Sequence, residues 1–209
     1  MRLSLVITGL LLACPATLAQ KDPADLPAHD SHEGLLVAAD PCLEAARAKE
    51  KFGKSNPFEA GILPVDVYFR NDTDQAMQID LTSVRLDISE PGEDRQRITA
   101  LTPRQVAVLI AHPGGTPNPE SSRRRVPEPI PMPSHDKKED KIFDSLKPLA
   151  FDSDVLPPHS TLHGFFFFDL SHDFRLADVA TLYIPDVKIV PANKLLTYFE
   201  VPLRAGSSH

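Results

Sequence analysis

The chain has 209 residues, a formal net charge of −7 and only two cysteines. This mildly acidic balance argues against nonspecific binding to nucleic acid, so no nucleic-acid partner is expected. One cysteine lies in a predicted signal segment, so no intramolecular disulfide can form in the processed chain, and about 190 residues bury a core large enough to do without one.

Residues 1–19 have the pattern of an export signal. Arg2 precedes an apolar run over residues 3–12, and small residues lead to a cleavage position after Ala19. The apolar run is too short to span a bilayer comfortably. The pattern predicts that the protein works outside the cytoplasm, in the periplasm or as a secreted protein.

Residues 11–14 offer a second route of processing, because Leu-Leu-Ala-Cys resembles a bacterial lipobox. In that case Cys14 would be lipidated and would become the new N-terminus, which anchors the protein to a membrane. Cleavage after Ala19 fits the small-residue rule better. Both routes stay open, and contact with a membrane is expected only if Cys14 is lipidated.

The segment after the signal is expected to be a flexible leader, since residues 20–33 show no periodicity and contain two prolines. Residues 34–39 are apolar and predict a first strand. Asp40-Pro41 then predicts a helix start, with an acidic N-cap followed by proline. This helix would run to Phe52 and carry Cys42 as a small buried apolar side chain.

Alternating residues give the strongest evidence for β structure. In residues 62–70, Val65, Val67 and Phe69 fall on one face, and polar residues fall on the other. Residues 77–81 and 84–88 alternate in the same way. One polar and one apolar face are typical of an antiparallel sheet that another layer covers on one side. We predict a single β-sandwich domain over residues 34–204.

A long irregular insertion is predicted inside this domain, because residues 113–135 contain seven prolines and no apolar periodicity. A capping box at Thr102 and Gln105 predicts a short helix before it. Helical spacing returns in residues 137–150. The insertion also carries the candidate partner-contact residues, a basic run that suits an acidic surface: Arg123, Arg124 and Arg125.

The C-terminal quarter returns to strands. Residues 161–170 place aromatic side chains on both faces, which predicts a central strand covered on both sides. Residues 182–190 and 195–203 follow as further strands, and residues 205–209 form a tail. In total, seven or eight strands are expected.

Two segments resemble exported bacterial domains with an immunoglobulin-like sandwich. Residues 58–73 resemble an early strand that ends in an Asn-x-Ser/Thr turn, and residues 156–168 resemble a late strand in which a proline turn precedes Gly-Phe-aromatic. The resemblance implies a mainly β fold, an antiparallel immunoglobulin-like β-sandwich, here with two or three short helices and the long insertion. It also implies a binding or structural role.

Motifs for catalysis or metal binding are absent from the sequence. There is no His-Glu-x-x-His, Cys-x-x-Cys or Gly-x-Ser-x-Gly. Residues 29–33 place two histidines and two acids close together, but a flexible segment would chelate an ion only weakly. His159 and His163 would lie about 13 Å apart in a regular strand. No catalytic residue, metal ligand or cofactor is therefore predicted.

The sequence thus favours a non-enzymatic, exported, envelope-associated binding or structural module. Such a module would act through contacts with an envelope protein or a glycan. The alternative is a periplasmic ligand- or metal-binding protein, and an unrecognised hydrolase is a further, weaker one, because a catalytic triad is defined by geometry rather than by sequence spacing.

Overall fold

The computed structural model describes residues 22–92, 94–113 and 136–204. Three α-helices lie in these ranges: α1 (Ala45–Phe52), α2 (Pro103–Ala111) and α3 (Lys137–Leu146). The strands are β1 (His29–His32), β2 (Leu35–Pro41), β3 (Ile62–Asn71), β4 (Ala76–Ile79), β5 (Arg85–Ile88), β6 (Gln96–Thr99), β7 (Val155–Leu156), β8 (Ser160–Asp169), β9 (Ala180–Ile184), β10 (Val187–Val190), β11 (Lys194–Leu195) and β12 (Phe199–Pro202).

These strands form three antiparallel, four-stranded sheets, so the mainly β class predicted from the sequence is confirmed. Sheet A has the order β1-β2-β3-β8, sheet B the order β11-β10-β4-β7, and sheet C the order β12-β9-β5-β6. The twelve strands of the described ranges exceed the expected seven or eight. Two of the three expected C-terminal strands are interrupted: residues 182–190 contain part of β9 and all of β10, and residues 195–203 contain part of β11 and all of β12.

One hydrophobic cluster takes side chains from all three sheets. Val65, Val67 and Phe69 enter it from β3, as their alternation predicted, and each is fully buried. Leu86 and Ile88 enter it from β5 of sheet C, and sheet B adds residues of β4 and β10. Burial of each such side chain contributes roughly 1.5–3 kcal/mol to folding.

The longest pairing joins β3 to β8 over ten residues, from Ile62 opposite Asp169 to Asn71 opposite Ser160. Successive phenylalanines of β8 point to opposite faces: Phe166 and Phe168 enter the three-sheet cluster, whereas Phe165 and Phe167 enter a second one. Both faces are covered, as expected. However, β8 ends the order of sheet A rather than lying at its centre.

The second cluster lies where the three helices cover the outer face of sheet A. Phe52 of α1, Val106 of α2 and Leu146 of α3 pack around Phe165 and Phe167. Helix α2 begins with the predicted capping box, in which the Thr102 and Gln105 side chains each bind the other's backbone N–H. These reciprocal bonds satisfy two of the backbone donors left open at a helix N-terminus.

The N-terminal region departs from the expected flexible leader, because residues 29–32 form β1 and pair with β2. The reason is a two-residue hairpin turn in which Glu33 and Gly34 both have positive φ, of 50° and 80°. Gly34 is required there, since an added Cβ would clash with the Thr73 side chain. This correction covers residues 22–33, whereas residues 20 and 21 lie outside the described ranges.

The predicted helix start at Asp40-Pro41 is also wrong. Strand β2 continues through both residues to pair Pro41 with Val65, and α1 begins only at Ala45. The Asp40 carboxylate does not cap the helix but accepts two hydrogen bonds from Arg47, at 2.9 and 2.7 Å. Proline is tolerated because the pairing of β1 with β2 ends at Ala38, so the nitrogen of Pro41 faces a side of the strand that β1 does not reach.

Gly164 allows residues 149–151 to run along the edge of β8 that does not pair with β3. Substitution of Gly164 tests this contact. A Cβ at Gly164 would lie 2.7 Å from both the Cα and the backbone nitrogen of Phe151. We expect Gly164→Ala to lower the free energy of unfolding by roughly 1–3 kcal/mol, the usual cost of overpacking. Urea denaturation measures this change. Thr161→Ala on the same strand is the control, and equal losses in both variants would contradict the prediction.

Candidate functional site

The contact residues predicted from sequence, Arg123, Arg124 and Arg125, lie outside the described residues, as does Cys14. Their roles therefore remain predictions. The site described below instead lies on the outer face of sheet C. Sequence reasoning identified β5 as an alternating strand but did not predict this site.

We call this surface the arginine–tyrosine face; it consists of Arg85, Arg95, Arg97, Tyr183 and Tyr198. Leu86 and Ile88 point into the core, so the alternation of β5 turns Arg85 and Asp87 outward. The strand register places Arg97 of β6 opposite Asp87 and Tyr183 of β9 opposite Arg85.

Asp87 is the electrostatic centre of the face and is only 2% exposed. Its Oδ1 lies 3.0 Å from Arg85 Nε, and its Oδ2 lies 2.9 Å from an Nη of Arg95. These two contacts engage both carboxylate oxygens. A buried carboxylate needs such partners, because without them its desolvation would cost several kcal/mol.

Arg97 is the least engaged of the three arginines. Its Nε is 4.0 Å from Asp87, and its side chain is 66% exposed. No shorter ion pair of Arg97 occurs among the described residues. Arg95 is 49% exposed and also lies 3.8 Å from Glu200. A guanidinium has five N–H donors in a planar fork, so both side chains retain donors that face solvent.

Aromatic rings complete the face. The Arg85 guanidinium lies 4.1 Å from the centre of the Tyr183 ring, and Tyr183 stacks against Tyr198 with ring centres 5.3 Å apart. Tyr198 is 48% exposed. Tyrosine and arginine are the residue types enriched in the energetically important parts of protein interfaces. The arrangement can therefore bind a carboxylate beside an apolar or planar group.

A second polar cluster lies on the outer face of sheet A, around Asp66, which is 3% exposed. The Tyr68 hydroxyl donates to Asp66 Oδ2 at 3.2 Å, and His163 Nδ1 lies 3.2 Å from Oδ1. Burial, together with the nearby Asp66 carboxylate, raises the pKa of Tyr68 to about 12. Within the described chain, no serine or cysteine side chain bonds to His163. The cluster thus combines a partly exposed imidazole with a buried carboxylate and a tyrosine hydroxyl.

Cys42 is buried, as predicted, although it precedes α1 instead of lying on it. Its backbone N–H donates to Pro64 of β3, and its side chain belongs to the cluster beneath the helices. Burial raises the pKa of the Cys42 thiol, with nearby Arg47 opposing this shift. The nearby Asp40 side chain raises the pKa of Arg47 through their hydrogen bonds.

The histidines that suggested weak chelation are instead held in separate places. His29 Nδ1 lies 2.6 Å from the Leu26 carbonyl oxygen, and His32 stacks on Phe199 with ring centres 3.9 Å apart. His159 lies 2.7 Å from Asp74, whereas His163 contacts Asp66. His159 and His163 therefore pair with different carboxylates and do not share a site.

The signal that could have identified the arginine–tyrosine face is weak. Arg95 and Arg97 are two residues apart and so share a face, but only the β5–β6 hairpin brings them to Asp87. Residues 95–99 were not predicted as a strand. Without that strand, the three arginines are simply scattered charges.

Across the ranges that the structure describes, no helix combines the length and the apolar character needed to cross a membrane. No family model matches the chain, and no curated protein or solved structure matches it either.

The raised pKa of Tyr68 predicts that this side chain makes a pH-dependent contribution to the free energy of unfolding. Because its pKa is raised in the fold, its contribution is fully present below the ordinary phenol pKa of about 10 and is lost as the pH approaches 12. Tyr68→Phe removes one hydrogen bond, so we expect a loss of about 1 kcal/mol near pH 8. Urea denaturation at pH 8 and pH 11 should show a smaller loss at pH 11, where the native protein is already weakened. An equal loss at both pH values would contradict the assignment.

Asp87 is expected to stabilise the face that it organises. Asp87→Asn removes the buried charge that holds Arg85 and Arg95, and we expect a loss of roughly 1–3 kcal/mol in the free energy of unfolding. Asp74→Asn, at a carboxylate whose side chain is 96% exposed, is the control. The prediction fails if both variants unfold at the same denaturant concentration.

Proposed function

We propose that this chain is a non-enzymatic, exported, envelope-associated binding module that acts through protein or glycan contacts. The arginine–tyrosine face is its contact surface, and an acidic, extended protein segment is the favoured partner. The observation that carries this proposal is the pair of exposed guanidinium groups beside a buried, fully engaged Asp87. Export rests on the signal pattern of residues 1–19.

The proposed scaffold is an immunoglobulin-like sandwich, with sheet A as one layer and sheets B and C as the other. The shared hydrophobic cluster supports this arrangement, because it joins inward-facing residues of all three sheets. The resemblance of residues 58–73 and 156–168 to strands of exported sandwich domains supports it as well. In such folds the outer sheet faces and the loops are available for binding.

Charge complementarity favours an acidic partner. Asp87 satisfies Arg85 and one side of Arg95, so a carboxylate brought by a partner would find further donors on Arg95 and Arg97. The chain as a whole carries −7. An acidic partner is therefore repelled by the overall charge, and its binding depends on the local arginines.

An extended peptide is favoured over a glycan because β6 ends the order of sheet C. An edge strand presents unpaired backbone groups on its outer side, to which a peptide can add as a further strand. Alternate side chains of that peptide would lie on the same face as Arg97. Acidic residues at those positions would pair with the arginines.

The test uses two synthetic peptides, one alternating Glu and Thr and one alternating Gln and Thr, with polygalacturonate as an acidic glycan. We expect the Glu peptide to bind and the Arg95→Ala/Arg97→Ala double variant to bind it at least about tenfold more weakly, the effect of a few interface charges. Calorimetry measures the affinity. Arg104→Ala is the matched control, since this arginine on α2 is 47% exposed and is also ion-paired.

Several outcomes would overturn the proposal. The arginine–tyrosine face is excluded as a contact surface if no probe binds, or if the double variant binds the Glu peptide as tightly as the native chain does. A preference for polygalacturonate would replace the protein partner with a glycan. Deletion of residues 113–135 completes the comparison, because loss of binding on deletion alone would assign the contact to the Arg123–Arg125 run.

A further inference from the structure

A group of side chains that can serve as metal ligands lies away from the arginine–tyrosine face, where residues that flank the proline-rich insertion come together. Helix α2 ends at Ala111 and α3 begins at Lys137, and the two helices pack against each other. Their packing brings together three side chains: His112, Asp136 and Glu139. His112 directly follows α2, Asp136 is the N-cap of α3, and Glu139 lies three residues further along.

The atoms of this group are close enough to share one small cation. His112 Nε2 lies 2.9 Å from Glu139 Oε1 and 3.5 Å from Asp136 Oδ2. The three potential ligand atoms all lie within 4.8 Å of one another. Ligands around a tetrahedral zinc ion lie about 3.4 Å apart, given bonds of about 2.0–2.1 Å. Small rotations of these side chains would therefore complete a zinc-binding arrangement.

We propose that His112, Asp136 and Glu139 form a Zn²⁺ site with three protein ligands and one open coordination position. The donor set favours zinc over Ca²⁺ and Mg²⁺, because imidazole with carboxylates suits zinc, whereas Ca²⁺ takes six to eight oxygen ligands and Mg²⁺ prefers oxygen. The group is more than a cluster of acids, since its imidazole and carboxylates come from two different helix ends. This site shares no residue with the arginine–tyrosine face.

Neighbouring hydrogen bonds hold the ligands in position. Asp136 Oδ1 accepts from the backbone N–H of Lys138 at 2.8 Å, which leaves Oδ2 directed at His112. The Lys138 ammonium donates to the Ala111 carbonyl at 2.9 Å and so ties α3 to the end of α2. Such outer contacts orient ligands and strengthen metal binding.

The same lysine limits the affinity. The Lys138 ammonium bonds to the carbonyl that precedes His112 and so brings a positive charge near the proposed cation. The ligand side chains are also partly exposed, by 52% for His112, 40% for Asp136 and 23% for Glu139. Partial exposure also gives an ion direct access from solvent. We therefore expect reversible binding of moderate affinity, as in a site that exchanges its metal, rather than the tight binding of a closed structural site.

The experiment adds ZnCl₂ to the purified, metal-free chain in competition with a chromogenic chelator. We expect His112→Ala and Glu139→Gln each to lower the affinity by at least about tenfold or to remove one zinc equivalent. His159→Ala is the matched control, because His159 forms a comparable 2.7 Å pair with Asp74. Circular dichroism confirms that each variant remains folded.

Cobalt distinguishes direct ligation from nearby charge. Co²⁺ bound by these three ligands should give visible absorption bands of a low-coordinate site, and Glu139→Gln should change or abolish them while the fold persists. The proposal is overturned if the native chain binds no zinc in this assay, or if His112→Ala binds as much zinc as His159→Ala. In either case the contacts of His112 with Asp136 and Glu139 would be ion pairs and not a metal site.

Discussion

The pairing of β3 with β8 is the contact on which the rest of the molecule depends. Ten residue pairs join two segments about 100 positions apart in the chain. Because side chains alternate along a strand, this ladder sends Phe166 and Phe168 to one side and Phe165 and Phe167 to the other. One side contributes to the three-sheet cluster, and the other provides the apolar surface on which the helices pack.

The polar groups follow from the same framework. Asp66 meets His163 because the β3–β8 register places them on neighbouring positions of one face, and Asp87 meets Arg97 through the β5–β6 register. The third group, at His112, depends on the helices that pack over β8. In each case residues that are separated in sequence are neighbours because the apolar framework fixes the positions of the elements that carry them.

This dependence explains what the sequence predicts well and what it does not. The alternation of β3 and the capping box of α2 are local patterns with local causes, and both are confirmed. The prediction of a flexible leader is wrong because Glu33-Gly34 forms a hairpin turn without the Asn-Gly sequence that usually indicates one. The sequence therefore gives no clear indication of β1. Asp40 suggested a helix cap, but its strand pairing with β3 outweighed that local preference. The arginine–tyrosine face needs strand register, which composition and spacing do not contain.

Because Cys42 is buried, the reactivity of its thiol indicates how often the surrounding structure opens. The chain has two cysteines, and both expected processing routes, loss of Cys14 or its lipidation, leave Cys42 as the single free thiol. A thiol that is only 2% exposed, in the hydrophobic cluster beneath the helices, reacts with a thiol-specific reagent only when that cluster opens. Comparison of the labelling rate with the free energy of unfolding of the whole chain would therefore show whether this cluster opens locally or only with the rest of the fold.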